Sequence, residues 1–268
     1  PTFCHNERLK PYSSCFLCVA EVEGAKTLQP ACSTVVTKGM KVNTETERVR
    51  QTRKMALDLL LSDHAGDCVA PCVNHCPSLT DVQGYVAHVS NGKFVEAVKL
   101  IKEYLALPFI CGTICPNPCD SECRRGLVDE PINIRGIKRF AAEFDLNHGP
   151  YLPPVMPDSG KKIAIIGGGP AGLAAAYYSR QFGHQVDIFE ALPQLGGMTR
   201  YGIPKFRLPW DKMDAEIKSI IDLGVKVHCN QRLGSDFSLA ELKAKGFDAI
   251  LLAIGAHKPR PMQIINEE

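Results

Sequence analysis

Eleven of the twelve cysteines lie before residue 124, in three tight groups. Cys4, Cys15, Cys18 and Cys32 form the first, Cys68, Cys72 and Cys76 the second, and Cys111, Cys115, Cys119 and Cys123 the third. A glycine loop, Gly167-Gly-Gly-Pro-Ala-Gly172, follows them. Thiolates suit iron–sulfur clusters, and such a loop at a helix start suits the pyrophosphate of a dinucleotide. The pairing points to electron transfer between metal clusters and a dinucleotide.

The spacing Gly167-x-Gly169-x-x-Gly172 gains weight from its context. It lies between a predicted strand and a predicted helix, and Glu190 closes the next strand about twenty positions on. The glycines let backbone approach pyrophosphate, and Glu190 can accept from adenosine ribose hydroxyls. A tight strand–helix turn without ligand is the plainer alternative. The first cysteine group reads Cys4-x10-Cys15-x2-Cys18-x13-Cys32. One close pair among four thiolates fits a two-iron cluster better than a zinc ribbon, which needs a second pair; zinc remains the alternative. Cys229 stands alone and reads as a small core hydrophobe. His75 reads as a donor beside a cluster rather than a ligand. No Ser/His/Asp constellation and no carboxylate pair suited to hydrolysis is evident.

The elements that must position these groups follow from pattern. A length of 268 residues suggests two domains or three small ones. A net charge of +2 gives no electrostatic case for nucleic acid or an acidic membrane. No apolar run is long enough to span a bilayer. A disulfide scaffold would be short and secreted, so the cysteines read as reduced and the chain as cytoplasmic. Residues 3–43 look turn-rich, with extended runs at 16–22 and 33–37. Thr44-Glu-Thr-Glu47 matches a capping box opening a helix, and its basic run Arg48–Lys54 reads as a solvated face. The stretch 64–77 reads as loop. Thr80-Asp-Val-Gln83 opens a helix with inner face Val82, Tyr85, Val86 and Val89, and Phe94, Val98, Ile101 and Leu105 mark the next. Prolines make 149–160 a linker. Strands at 162–166, 185–189 and 248–254, a further extended run at 225–228, and helices at 170–180 and 211–223 then predict a parallel, doubly wound sheet. Both ends look cut, as in a fragment.

Two families are resembled. Cys4-His-Asn-Glu-Arg-Leu9 through Cys32, then Arg48 to His64, resembles the [2Fe–2S] region of the large iron–sulfur subunit of respiratory complex I and of iron-only hydrogenases. Leu60-Leu-Ser-Asp-His64-Ala-Gly-Asp-Cys68 is similar to the start of that family's His/Cys cluster segment. From Cys68-x3-Cys72-x3-Cys76-Pro77 and Cys111-Gly-Thr-Ile-Cys115-Pro-x2-Cys119-x3-Cys123 onward, the chain resembles the glutamate synthase small-subunit family. That family includes dihydropyrimidine dehydrogenase and NADPH-dependent ferredoxin oxidoreductases. Pro131-Ile-Asn-Ile134, Leu195-Gly-Gly-Met198, Gly202-Ile-Pro204, Phe206-Arg-Leu-Pro209 and Leu252-Ala-Ile-Gly-Ala256 continue the likeness.

The resemblance implies a multidomain α+β and α/β chain. Residues 1–62 would be a partial [2Fe–2S] ferredoxin-like module plus helix, 63–148 a helical domain with two [4Fe–4S] clusters, and 161–268 the first half of an FAD-binding Rossmann-like domain. FAD would meet Ile114, Gly167, Gly168, Gly169, Pro170, Ala171, Gly172, the run from Glu190 to Gly197 and Met198, Arg207 and Leu233, with Arg207 offsetting pyrophosphate charge. One cubane would use His64, Cys68, Cys72 and Cys123, since no cysteine lies between Cys32 and Cys68 and His64 stands where the complex-I-like family has its histidine ligand; an exposed helix-terminal histidine is the alternative. The other would use Cys76, Cys115 and Cys119. Its usual fourth ligand, a Gln or Glu, matches Lys138, which has no acceptor when protonated and cannot ligate iron; Cys111 is the nearest spare thiolate, and the rival is a three-cysteine cluster with an exchangeable ligand or with Lys138 stabilising its negative charge. The implied protein is an NAD(P)H-linked oxidoreductase subunit wired to a hydrogenase, formate dehydrogenase or other ferredoxin-linked partner. A glutamate synthase small subunit and a flavin-free wiring subunit are the alternatives.

Overall fold

A computed structural model describes residues 2–64, 66 and 68–256. The predicted polar tail past Ala256, and Ala65 and Asp67 of the His64–Cys68 phrase, lie outside them. The chain forms two compact units, residues 1–71 with 90–92, and residues 72–89 with 93–268.

The first unit holds an antiparallel sheet, β1 (Val19–Val22) between β2 (Gln29–Pro30) and β3 (Val42–Asn43). Val19 pairs with Pro30 and Val22 with Val42. Helix α1 (Glu47–Ser62) lays its buried Val49 beside β1. Its cap is Thr46, whose hydroxyl accepts from Val49 N at 3.3 Å, so the expected Thr44–Glu47 box is displaced by two residues. The side chain at the N-cap must face the third helical amide, and the start at Glu47 gives that role to Thr46. The predicted extended run 33–37 joins no sheet; Val35 and Val36 are exposed. The basic face is not wholly solvated either. Arg53 turns inward and donates to Val19 O at 2.8 Å, tying α1 to the sheet.

The second unit begins around α2 (Pro71–Asn74), a single turn where loop was expected. Then come α3 (Val82–Ser90), α4 (Phe94–Lys102), α5 (Pro108–Ile114), α6 (Pro118–Ser121) and α7 (Ile134–His148), with a 3-10 turn at Arg124–Leu127. Asp81, not Thr80, accepts the free amide of Gly84 at 2.8 Å and caps α3. Val82, Tyr85, Val98, Ile101, Ile134 and Ala141 form an apolar cluster that also takes in Cys119, with Cys72 and Cys123 at its margin.

A four-stranded parallel sheet follows. Its strands are β4 (Lys162–Ile166), β5 (Gln185–Phe189), β6 (Lys226–His228) and β7 (Ala249–Leu252), in the order β6-β5-β4-β7. Between them run α8 (Pro170–Gln181), α9 (Met198–Tyr201), α10 (Trp210–Ile221) and α11 (Leu239–Ala244). Alternate β4 residues point to opposite faces. Ile163 and Ile165 join the cluster with α8 and α10, whereas Ala164 and Ile166 join Phe237 and Leu242 of α11. The first of these clusters also contains Ala106, Leu107, Phe109, Ile110 and Ala142, so the helical part and the sheet share one core.

A buried carboxylate marks that junction. Glu216 of α10 accepts from Phe109 N at 2.5 Å and Ile110 N at 3.0 Å. Glu216→Ala leaves both amides buried without acceptors, and we expect it to cost about 2–4 kcal/mol. Denaturant unfolding of the variant checks this; an unchanged midpoint would refute the role.

Candidate functional site

The glycine loop connects β4 to α8 at the place where strand order reverses, between β4 and β7. In open parallel sheets such a switch point is where ligands bind. A cavity of about 510 Å³ lies there, walled by Gly167, Gly169, Pro170, Ala171, Glu190, Leu192, Gly197, Met198 and the segment 252–256, among others. Gly167 has φ +112°, a conformation side chains resist. A Cβ on Gly172 would lie 1.9 Å from Gly167 O, and one on Gly168 would lie 2.2 Å from Leu195 Cδ2. Gly169 differs: its backbone is extended, and a Cβ there meets nothing nearer than Gly197 Cα at 3.7 Å. Gly169 is also the N-cap of α8 and offers no side chain to the helix amides. The first turn of α8 therefore presents uncapped N–H groups and the positive helix end to the cavity, which suits an anion.

A second loop closes against the first. Gly196 N donates to Gly168 O at 2.8 Å, and a Cβ on Gly197 would lie 2.7 Å from Gly169 Cα. Arg200, itself buried, holds this loop by donating to Leu195 O at 2.5 Å and pairing with Asp214. Glu190 is buried as well. Its Oε2 accepts from Gly168 N at 2.7 Å and its Oε1 from Leu192 N at 2.8 Å. Each oxygen keeps a lone pair for a ligand hydroxyl. The residues present fit a dinucleotide: free helix amides, a backbone cradle and an acidic acceptor.

Of the expected contact residues, Gly167, Gly169, Pro170, Ala171, Glu190, Gly197, Met198 and Leu233 line the cavity. Gly168 and Gly172 shape the loop behind it. Ile114 packs on the shared core, and Arg207 is exposed; neither is part of the wall. The basic residue in the wall is Arg232, which no sequence signal singled out. Arg200 went unnoticed too, because its partners are a distant carboxylate and a loop carbonyl.

The thiols gather in two places. In the first unit, Cys15 Sγ accepts from Phe3 N at 3.4 Å and lies 3.6 Å from Thr2 Oγ1. Burial opposes ionisation of Cys15, but the Phe3, Leu17 and Cys4 amides and the Thr2 hydroxyl outweigh it and bring the thiol down to about 6. Cys18 and Cys32 hydrogen-bond each other, and Cys32 also meets Ser13 Oγ at 3.4 Å. Ser13 and Phe16 both adopt left-handed backbone, φ 54° and 55°, which wraps the loop about Cys15. Thiolate-directed amides are what an iron–sulfur site supplies.

In the second unit, Cys72 is pushed up by burial and by Cys123. Cys76 is half-buried too, which opposes ionisation, yet the Thr80 and Ser78 amides and hydroxyls bring it below the usual thiol value. Cys111 is pushed up to about 11 by burial, opposed by Lys138, with Glu216, Cys115 and Cys76 adding to the rise. Cys119 likewise rises to about 11 through burial and Asp120, again opposed by Lys138. Cys72 thus shares an electrostatic environment with Cys123, and Cys111 with Cys115 and Cys76. Four soft donors flanked by a cation are chemistry suited to an anionic cluster. Among the described residues, no three His, Cys, Asp or Glu side chains stand close enough to hold a single metal ion.

His64 is exposed, and its Nδ1 accepts from Gly66 N at 3.2 Å. That contact selects the Nε2–H tautomer, so ligation through Nε2 requires it to break. His75 Nε2 lies 4.0 Å from Glu122 Oε2. Cys229 packs at the margin of the shared core.

Comparison with known proteins agrees with this division of labour. Residues 1–47 match the 2Fe-2S iron-sulfur cluster binding domain family. Residues 44–150 match dihydropyrimidine dehydrogenase domain II, 4Fe-4S cluster, and 165–210 match an NAD(P)-binding Rossmann-like domain. The NADPH-Fe(3+) oxidoreductase subunit beta of Geobacter sulfurreducens is 41% identical over 203 residues, 74% of this chain and 30% of that protein. The NADP(+)-dependent formate dehydrogenase subunit beta of Moorella thermoacetica is 39% identical over 221 residues, 74% of this chain and 31% of the relative. The NAD-dependent dihydropyrimidine dehydrogenase subunit PreT of Salmonella typhimurium is 37% identical over 203 residues, 74% and 49%. The chain is homologous to these subunits, spans less than half of each, and joins 2Fe–2S, 4Fe–4S and NAD(P)-binding Rossmann-like domains in one polypeptide. No helix among the described residues is long and apolar enough to cross a membrane.

The glycine geometry separates two kinds of loop variant. Gly172→Ala forces its Cβ into the Gly167 carbonyl and should lower the melting temperature by several degrees. Gly169→Ala makes only an ordinary contact, with Gly197 Cα at 3.7 Å, and should leave it within about a degree, consistent with the small effect of unstrained changes. Thermal melts of the two variants decide; equal melts would show the 1.9 Å approach to be harmless.

Proposed function

We propose that this chain is the electron-conducting part of an NAD(P)H-linked iron–sulfur flavoprotein oxidoreductase. The observation that carries the reading is the union, in one polypeptide, of two gathered sets of thiols and an acid-bordered dinucleotide cavity. In this reading the cavity holds FAD, residues 63–148 hold two [4Fe–4S] clusters, and Cys4, Cys15, Cys18 and Cys32 hold one [2Fe–2S] cluster. Glu190 supports FAD over a phosphorylated nicotinamide nucleotide. A carboxylate accepts from ribose hydroxyls but repels a 2′-phosphate. NAD(P)H is the electron partner that the names of the relatives point to.

FAD, when bound, supplies the exchange between two-electron and one-electron chemistry. The chain's own residues do the rest. The α8 amides and Gly169 take the pyrophosphate, Glu190 orients the ribose, and the Leu195–Gly197 loop shuts backbone against backbone over the cradle. One cubane falls to Cys76, Cys115 and Cys119 with Cys111, the other to Cys72, Cys123, Cys68 and His64. The partner is another subunit of a redox complex, a formate dehydrogenase, hydrogenase or ferredoxin-linked core.

Gly169→Val tests the flavin site in the intact, anaerobically purified protein. Flavin should fall to background while iron and melting temperature hold; retained flavin overturns the assignment. Wild-type protein should carry about ten iron atoms, one two-iron and two four-iron clusters. Stoichiometric zinc without a two-iron EPR signal would remove the first cluster from the scheme.

His64→Cys tests the histidine. Imidazole in place of thiolate raises a cluster's potential, so the variant should shift one four-iron signal to lower potential. Unmoved midpoints would exclude His64 as a ligand.

A further inference from the structure

Among the described residues of the second unit two lysines are buried, Lys102 at 3% exposed and Lys138 at 6%. They are built differently. Lys102 donates to Asp145 Oδ2 at 3.0 Å and to Tyr151 O at 2.9 Å. Lys138 forms no ion pair with any carboxylate among the described residues. A buried ammonium without a counter-ion is costly unless an anion joins it.

Packing fixes where Lys138 lies in the fold. Helix α7, which carries Lys138, packs on both α5 and α6. The approach to α5 is backbone-close: a Cβ on Gly112 would lie 2.8 Å from both Cα and N of Arg139. Gly112 adjoins Cys111, and Arg139 adjoins Lys138, so the two helices touch beside both residues. On the other side α6 presents Cys119, which is buried. Ile134 and Ala141, one turn either side of Lys138 on the same face of α7, pack in one cluster with Cys119. The anion missing from Lys138 thus belongs on the side of Cys111 and Cys119. A lysine has three donors and no acceptor, so it meets a cluster as charge and hydrogen-bond donor, not as ligand.

We propose that Lys138 is the built-in counter-charge of the [4Fe–4S] cluster at Cys76, Cys115 and Cys119, and holds its reduction potential above that of a cluster lacking such a cation. This rests on the cluster assignment proposed above. One electron entering from the reduced dinucleotide cofactor reduces one ferric equivalent to ferrous and adds one negative charge to the cluster. A fixed positive charge stabilises the reduced form more than the oxidised form, and no proton need follow the electron. Net charge and hydrogen bonds to the sulfurs are established levers on cluster potential.

The test uses the intact protein, purified anaerobically, with Lys138→Met, Lys138→Gln and Lys138→Arg. Iron and sulfide are counted, and the four-iron signals are titrated by EPR. Both neutral variants should keep their iron and make one of the two four-iron clusters harder to reduce. The expected change is at least tenfold in the reduction equilibrium, 59 mV for a one-electron couple. The second four-iron signal should stay in place, and Lys138→Arg should stay near wild type. Loss of one cluster's iron in the neutral variants but not in Lys138→Arg would also support a counter-charge, because assembly then depends on the cation. Loss of iron in all three variants would overturn the proposal and mark a packing role. Four-iron signals with unmoved midpoints in the neutral variants would overturn it while leaving the cluster assignment intact. Absence of four-iron signals from the wild type would sink the assignment itself.

Discussion

The second unit depends on one carboxylate. Helix α5 starts at Pro108, which has no N–H, and Leu107 offers no side-chain cap. Cys111 N reaches Leu107 O, so Phe109 and Ile110 are the two amides of the first turn left to satisfy. Glu216 takes both from another part of the chain. It is fully buried, and burial lifts its carboxyl to about 7 against the pull of those two amides and of Lys102. The isolated cost of sinking an acid there is high, and the two helix-start donors, aided by the positive helix end, are what offset it. Because α5 carries Cys111 and ends beside Cys115, the same contact fixes the thiols relative to the parallel sheet.

Around that anchor the packing is continuous. Phe109 and Ile110 are buried in the core that contains Ile165, Leu173 and Met213, so the cysteine-bearing helix and the sheet cannot shift independently. The segment predicted as a linker is tied at its start. Tyr151 donates its amide to Asp145 and offers its carbonyl to Lys102, within a buried ion pair. Breaking such a pair from one side leaves an uncompensated charge, so it resists opening. The cysteine loops are irregular, with left-handed Asn117 between Cys115 and Cys119, yet they hang on a rigid frame.

Much of this was legible in sequence where apolar pattern decides structure. The strands at 162–166 and 185–189 stand where the pattern put them, since strands covered on both faces read as apolar runs. The order of motifs, thiols before glycine loop, announced the chemistry. What pattern could not show was the work of buried charges. Glu216 lies in Asp-Ala-Glu-Ile-Lys, a run that reads as helix surface, and only the amides of a helix a hundred residues earlier give it a purpose. Arg53 sits in a basic run and turns inward for one strand carbonyl. Arg232 reaches the cavity wall through a loop whose path no local signal dictates. The displaced caps at Thr46 and Asp81 have a smaller cause: adjacent residues of similar capping ability, with tertiary packing choosing between them.

Glu190 shows how a residue can be found for one reason and held in place for another. Its position at the end of β5 suggested a ribose contact, yet in the structure its two oxygens first receive Gly168 N and Leu192 N. Those bonds lock the glycine loop and the start of the following loop to one carboxylate. The remaining lone pairs then border a cavity that the uncapped end of α8 also lines. A ligand that carries both hydroxyls and a pyrophosphate satisfies the carboxylate and the helix end at once. In the proposed reading the acid therefore shapes the cradle before it touches the cofactor. Removing its charge would loosen the loop as well as the ribose, so the binding of the dinucleotide and the order of the loop belong to one interaction.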